Sequence, residues 1–568
     1  MAKSRVFSRP LPDANVPRNA FDMSKRISLN MPFGALIPVY SHQYIAGSHV
    51  KINMRTFFRT AAVNTAAFPQ LKLNFEWFAV PLRYLWSYWD NFKLGIQDYN
   101  STALFDSASI SGHTNPSSVP MFYGRDLLNL SNKSFPATPG SSPNVPDAAG
   151  YTWGLGAARL ADMLGYGLYS PSYSATDLSD LHTGQAYNPF KIAAYQKIYY
   201  DHFRNSAYES NDPFAYNFDQ DTVSSSSYLG DIRLVKLFTL RYANYRKDYF
   251  QHIFPSLNYV TSNPSSPISS IPSWIQGADY SSTNGDSSLI EVFNDGTVVR
   301  THPNNSNGYS YVSAQSLRAL FALDKLTRSS AYAPKHVKEQ YEARYGIKFS
   351  DKASFESERI GNFDTDIVIG EVTSTANTSG SSGDALGAIG GKGVGASDAK
   401  KGFVDYTCKE DCVVMCIAYA IPRQQYDSNR FENWNMKLVQ NDFFIPEFMN
   451  LGLKPLYGKE RNATFGATTV ANQIIGYQTP YMEYKADVDE NHGLFADPNS
   501  DLGQFVTHTR LSTSIPASAD YFRVKPSDVD SIFVNAYDGS QSTDQLFGQI
   551  DFIIPVNQNM SVHGQPSL

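Results

Sequence analysis

The clearest pattern in the chain is a strict alternation of apolar and polar positions. In HVKINMRTFFRTAAV, Val50, Ile52, Met54, Thr56 and Phe58 alternate with Lys51, Asn53, Arg55, Phe57 and Arg59, and LKLNFEWFAV repeats the device with Leu71, Leu73, Phe75 and Trp77. A period of two sends successive side chains to opposite faces, so each stretch predicts a strand with one dry face. Residues 100–150 are a Ser/Asn/Pro-rich connection, and then the period lengthens. GAARLADMLG and NPFKIAAYQKIYYDHFRNSAY predict helices. In the second, Pro189 suits a helix start, and Ile192, Tyr195, Ile198, Tyr199 and Phe203 fall near one face. SAQSLRALFALDKL, from about Ser313, predicts a third helix through Leu317, Leu320, Phe321 and Leu323. Strand signals return in VVMCIAYAIP and QLFGQIDFIIPV. Strands at both ends, with helices and loops between them, predict one β framework carrying long insertions.

Composition supports that reading. The 568 residues are 42% hydrophobic and only 18% charged, and 36 Tyr with 36 Phe supply most of the 14% aromatic content. This is the profile of β structure with extensive ordered loops. No repeat period argues for a solenoid or propeller. No apolar run approaches the length of a membrane span, and MAKSRVFSRPLPDANVPRN lacks the apolar segment of a signal peptide, so the chain is expected to stay in the cytoplasm where it is made.

Charge adds a polarity. The net charge of −6 disfavours a protein that coats nucleic acid over its whole surface. Residues 1–60 hold Lys3, Arg5, Arg9, Arg18, Lys25, Arg26, Lys51, Arg55 and Arg59 against Asp13 and Asp22, a net of +7 that leaves −13 for the remainder. Residues 1–30 therefore read as a basic arm on an acidic body, and the arm is where a polyanion would be met. A solubilising tail is the alternative.

Motifs for chemistry are weak. LGAIGGKGVGAS, Leu386–Ser397, has the look of a phosphate loop, but GxxxxGK[ST] requires glycine at 386 and a hydroxyl at 393, where the chain has Leu386 and Gly393. The Ser/Gly/Thr tract before it reads as linker, so 374–402 is expected to be a flexible loop. Cys408, Cys412 and Cys416 sit in a predicted strand, where residues four apart are separated by about 13 Å, too far to share a metal. They read as buried, reduced side chains. DVDENHG, Asp487–Gly493, places its glycine one position too late for a calcium loop, and Pro498 stands where the closing glutamate belongs. There is no HExxH and no GxSxG. No catalytic, cofactor or metal residue is assigned, and the chain is not expected to be an enzyme. LRYANYRKDYF, with Arg241, Tyr242, Tyr245, Arg246 and Lys247, could bind single-stranded DNA or be a structural segment, and the structural reading is preferred.

Several ordered motifs carry a family likeness. RNAFDMS (Arg18–Ser24), FEWFAVPLRYLWSYWDNF, the pair PFKIAAYQKIYYDHFR and LRYANYRKDYFQHIFP, then FIPEFMNLG, IIGYQTPYMEYK and the closing VHGQPSL resemble the major capsid proteins of the Microviridae, on the side of the gokushovirus-like small single-stranded DNA bacteriophages. In the paired motifs the likeness rests on Tyr195, Ile198, Phe203, Arg204, Asp248, Tyr249 and Phe250. FPSLNY after the DYF motif and Gln565-Pro566-Ser567 depart from the gokushovirus pattern.

The resemblance implies a mainly β fold, an eight-stranded antiparallel jelly roll with loop and helical insertions over residues 31–568. It implies self-assembly into a T=1 icosahedral shell around circular single-stranded DNA, a small basic packaging protein, other minor virion proteins and a host receptor. The Ser/Asn/Pro/Gly-rich stretch 256–312, with Asn284-Gly285 near its middle, occupies the place of a surface protrusion in such proteins. Within a shell, the charge polarity places Lys3, Arg5 and Arg9 on the interior, contacting phosphates without reading sequence. A soluble β-rich glycan-binding protein or glycan-active enzyme is the competing class.

Overall fold

The computed structural model describes residues 17–63, 68, 70–95, 118–126, 153–167, 184–219, 229–255, 290–292, 298–301, 310–313, parts of 318–348, 355–373, 389–397, 403–450, 452–462, 472–508, 519–538 and 543–563. Its framework is eight strands. They are β1 (Lys25–Met31), β2 (Ile37–Tyr44), β3 (His49–Thr60), β4 (Leu71–Pro81), β5 (Glu358–Thr373), β6 (Ile389–Ser397, continued along the same edge by Val404–Thr407), β7 (Cys412–Pro422) and β8 (Leu546–Ile553, continued by Pro555–Gln558).

Every pairing among them is antiparallel. One sheet runs β1-β8-β3-β6 and the other β2-β7-β4-β5. The second half of β5 leaves β4 and pairs with the first half of β6, so the two sheets curl into one another along that edge. The chain thus visits the sheets in jelly-roll order, as the resemblance implied. The connection β4–β5 spans residues 82–357 and β7–β8 spans 423–545; these hold the insertions.

The alternation predicted from sequence explains the core. Val50, Ile52, Met54 and Phe58 of β3 point inward against Leu71, Leu73, Phe75 and Trp77 of β4, and all are buried. Trp77 meets Phe552 of the opposite sheet edge to face at 5.7 Å, and Tyr40 packs on both rings at 5.3 Å. Such tilted aromatic contacts add about 0.5–1.5 kcal/mol each beyond area burial.

Strand β7 is buried along all eleven residues because both of its faces are covered. Its outer cover comes from the first insertion, whose described helices include the short Leu82–Leu85 and Trp89–Leu94 and the longer α1 (Trp153–Met163), α2 (Phe190–Ile198), α3 (Asp231–Leu237) and α4 (Val337–Tyr345). Pro189 stands at the N-cap of α2, which runs on through a π-helical turn, Tyr199–Phe203. That turn sets Phe203 against Tyr419 of β7 and His202 against Phe78 of β4.

Three expectations need correction. First, 374–402 is not one flexible loop: Ile389–Ser397 is strand, and 374–388 and 398–402 lie outside the described residues. Glycine's weak strand preference is overridden because β5 and β3 both supply ladder partners, and at Gly395 a Cβ would come within 3.1 Å of Ile367. Second, the boundary at residue 30 cuts through β1, and Asn19–Asp22 already pairs with the end of β8, so the described part of the arm belongs to the sheet. Third, the helix expected from about Ser313 does not start there: Ile290–Val292, Val298–Thr301 and Ser310–Ser313 form a small antiparallel sheet with no ladder to the barrel among the described residues. Ser313 ends a strand there, and described helical residues begin at 318. Asn284 and Gly285 lie outside the described residues.

Candidate nucleic-acid face and assembly surface

The outward face of the β1-β8-β3-β6 sheet is basic and aromatic. Lys51, Arg55, Phe57 and Arg59 project from β3 because the intervening residues fill the core. Register sets Arg26 and Arg55 on either side of Asp551, Phe547 beside Arg59, and Lys51 beside Asp405. Arg26 forms a two-pronged ion pair with Asp551, whose carboxylate raises the guanidinium pKa. The Arg59 guanidinium lies 5.0 Å from the centre of the Phe57 ring. Phe57 and Phe547 are each 42% exposed. Four cations against two carboxylates, interleaved with two rings, can attract phosphates and offer stacking platforms for bases.

Lys3, Arg5 and Arg9 lie outside the described residues. Lys51, Arg55 and Arg59, from the same +7 stretch, are brought together with Arg26. Phe57 carried a signal in the sequence, an apolar residue on the polar phase of the alternation. Phe547 stands likewise out of phase with Leu546, Ile550 and Phe552, but its neighbour Arg59 is set by strand register and carried no signal.

The segment LRYANYRKDYF is structural where it carries its most conspicuous residues. Arg241 packs against Tyr199 and Tyr200, with its guanidinium 4.6 and 5.1 Å from their ring centres, and it bonds Gln196 and the Tyr200 hydroxyl. Tyr242 is buried, and the Tyr245 hydroxyl donates to Asp528. The cysteines are buried and unbridged. The acidic Asp487–Gly493 segment docks rather than dangling: Asp489 and Glu490 pair with Arg423 and Arg430, and Glu490–Asn491 lies parallel to Tyr426–Asp427.

A second surface stands on the β7–β8 insertion. Residues 431–449 fold as three short 3-10 turns, Asn433–Met436, Gln440–Asp442 and Pro446–Phe448. They expose Phe431, Trp434, Leu438, Val439, Phe443, Phe444, Phe448 and Met449, with Leu438 86% exposed. What holds this apolar ledge open lies beneath it. Lys437 is pinned with its Nζ 4.2 Å from the Trp434 ring centre, 4.3 Å from that of Tyr484 and 2.7 Å from the Glu483 carboxylate; both charged side chains are nearly inaccessible. The Asp442 carboxylate accepts the backbone N–H groups of Val439 and Leu438, which lowers its pKa and fixes the turn that presents Leu438. Exposed apolar surface on this scale marks a site of protein association.

A family model described as capsid protein (F protein) matches residues 10–116 and 176–568. The chain belongs to this phage capsid family. Capsid protein VP1 of Bdellovibrio phage phiMH2K is 23% identical over 552 residues, covering 91% of this chain and 88% of that one. The Microviridae resemblance is therefore borne out, and the chain is a structural capsid protein of the virion, built for self-association rather than turnover. Among the described residues, no helix is long and apolar enough to cross a membrane.

Proposed function

We propose that this chain forms a T=1 icosahedral shell around circular single-stranded DNA, with the ledge at 431–449 buried between copies and the basic-aromatic sheet face turned toward the genome. The observation that carries the reading is the ledge. A folded subunit that holds eight large apolar side chains in water, on a scaffold of buried ion pairing, is incomplete until a partner covers it, and capsid family membership makes another copy that partner. The sheet face supports the genome contact, since its rings and cations suit single strands without base-edge readout. The few cations per subunit neutralise only part of a genome, which supports a separate small basic packaging protein. Minor virion proteins and a host receptor complete the set of partners, with residues 256–312, including Asn284-Gly285, as the outward loop.

Electron microscopy and nucleic-acid content of the purified expressed chain, alone and with its virion partners, test the reading. Regular shells that protect single-stranded DNA from nuclease are expected. Stable monomers in genome-filled particles would overturn it. A short tag inserted at Asn284-Gly285 is expected to be reached by antibody on intact shells; an inaccessible tag on well-formed shells would refute the outward placement.

A further inference from the structure

Where the first insertion returns to the barrel, three metal-ligating side chains converge. His336 is the N-cap of α4 and Glu339 lies in its first turn, so the two fall on the same side of the helix start. Glu356 comes from the segment just ahead of β5, and its Oε1 stands 3.7 Å from His336 Nδ1. One donor atom from each of the three lies within 4.8 Å of the others. The Oε2 atom of Glu339 is buried with no hydrogen-bond partner, an acceptor withdrawn from water. The side chains of His336 and Glu356 are 14% and 13% exposed.

The nearby charges have hydrogen-bond partners of their own. Asp201 pairs with Lys197 at 2.8 Å and accepts from the Ser357 N–H at 2.8 Å, while Arg204 donates to the carbonyls of Tyr200 and Glu209. His202 bonds the Ser357 carbonyl, and Lys338 is also engaged.

We propose that His336, Glu339 and Glu356 bind a divalent transition cation of the zinc class, which staples α4 of the first insertion to the start of β5. One nitrogen and two carboxylate donors are too few, and too mixed, for calcium, which takes six to eight oxygens. They match a zinc site with three protein ligands and one open position. That fourth position has a route to solvent. His336 and Glu339 line a cavity of about 470 Å³ bounded also by Phe203, Asn244, Gln251 and Tyr419. Drawing the donors onto metal bonds of about 2.1 Å needs only a small closure of flexible side chains around the ion. The ion would join the start of α4 to the segment just ahead of β5, so shell stability becomes sensitive to chelators.

The test loads the purified full-length chain, as assembled particles, with zinc chloride, removes excess by gel filtration and counts metal by mass spectrometry. Melting is recorded in parallel with zinc, magnesium or calcium chloride. Wild type is expected to retain about one zinc per subunit and to melt higher with zinc alone. Removing a supporting group already costs 10–100-fold in metal affinity, so Glu339→Gln and His336→Gln should each weaken retention by more than about 100-fold. No zinc on wild type, equal zinc on both variants, or an equal melting shift with magnesium would overturn the assignment. If neither variant assembles, the wild-type comparison among the three metals still decides it.

Discussion

Arg159 on α1 and Asp544 just ahead of β8 form an ion pair of 2.5 Å with side chains 5% and 0% exposed, although 385 residues separate them. Asp544 also accepts from Asn30 Nδ2 at 2.8 Å, and Arg159 donates to the Asn30 carbonyl at 2.6 Å. The pair ties the first insertion to the strand that closes the barrel. Asp544→Ala leaves a buried guanidinium without its counter-charge and is expected to cost about 3–5 kcal/mol. Denaturant midpoints of the unassembled subunit measure it. Adding Arg159→Met to the same chain should recover part of the loss; an unrecovered double variant would show that the pair is not the cause.

Leu438→Asp places a charge at the most exposed point of the ledge, where the folded monomer has little to lose. Monomer stability is expected to change by less than about 0.5 kcal/mol, as for surface substitutions. Shell formation should be abolished, because assembly would have to bury an unpaired carboxylate. Circular dichroism and sedimentation velocity separate the two effects. Normal shells from this variant would remove the ledge from the interface.

Replacing Lys51, Arg55 and Arg59 together by Gln should weaken DNA retention in particles and flatten its salt dependence. With a slope of about 0.7 per neutralised phosphate on single strands, three lost contacts lower the slope by about 2. Phe57→Ala should weaken binding by about 1–3 kcal/mol with little change in slope, because a ring stacks and does not displace counterions. The triple change Lys3, Arg5 and Arg9 to Gln measures the arm in the same assay, and an unchanged genome content and slope would make the arm structural or solubilising.

His508 gives the protein a pH dependence whose sign is fixed by geometry. Burial alone would lower its pKa, but Nδ1 donates to Asp427 at 3.0 Å and Nε2 to the Gly503 carbonyl at 2.8 Å, and the pKa is raised above its ordinary 6.5. Both ring nitrogens face acceptors, so the charged form is the one the fold holds. A raised folded-state pKa contributes stability that is full below pH 6.5 and fades as pH rises through the folded value. Urea midpoints of wild type should therefore fall, relative to His508→Gln, on going from pH 6 to pH 8. Parallel profiles would refute the assignment.

The alternation in HVKINMRTFFRT already determined which side chains of β3 are dry and which are wet, because a period of two reports burial one strand at a time. In the same way Pro189 and the spacing of Ile192, Tyr195 and Ile198 placed α2, and the β-branched and aromatic run of VVMCIAYAIP placed a strand, whose burial on both faces the insertion decided. The tertiary structure alone decided who stands beside whom. Register put Phe547 next to Arg59, and pairing on β5 and β3 made a strand of Ile389–Ser397 against glycine's local preference. Helix packing set Arg241 against two tyrosines, and the return of the insertion set Glu356 against His336. Local sequence encodes the period of an element and the face it buries. Contacts between residues hundreds of positions apart depend on strand order and register, which arise only when the whole barrel closes.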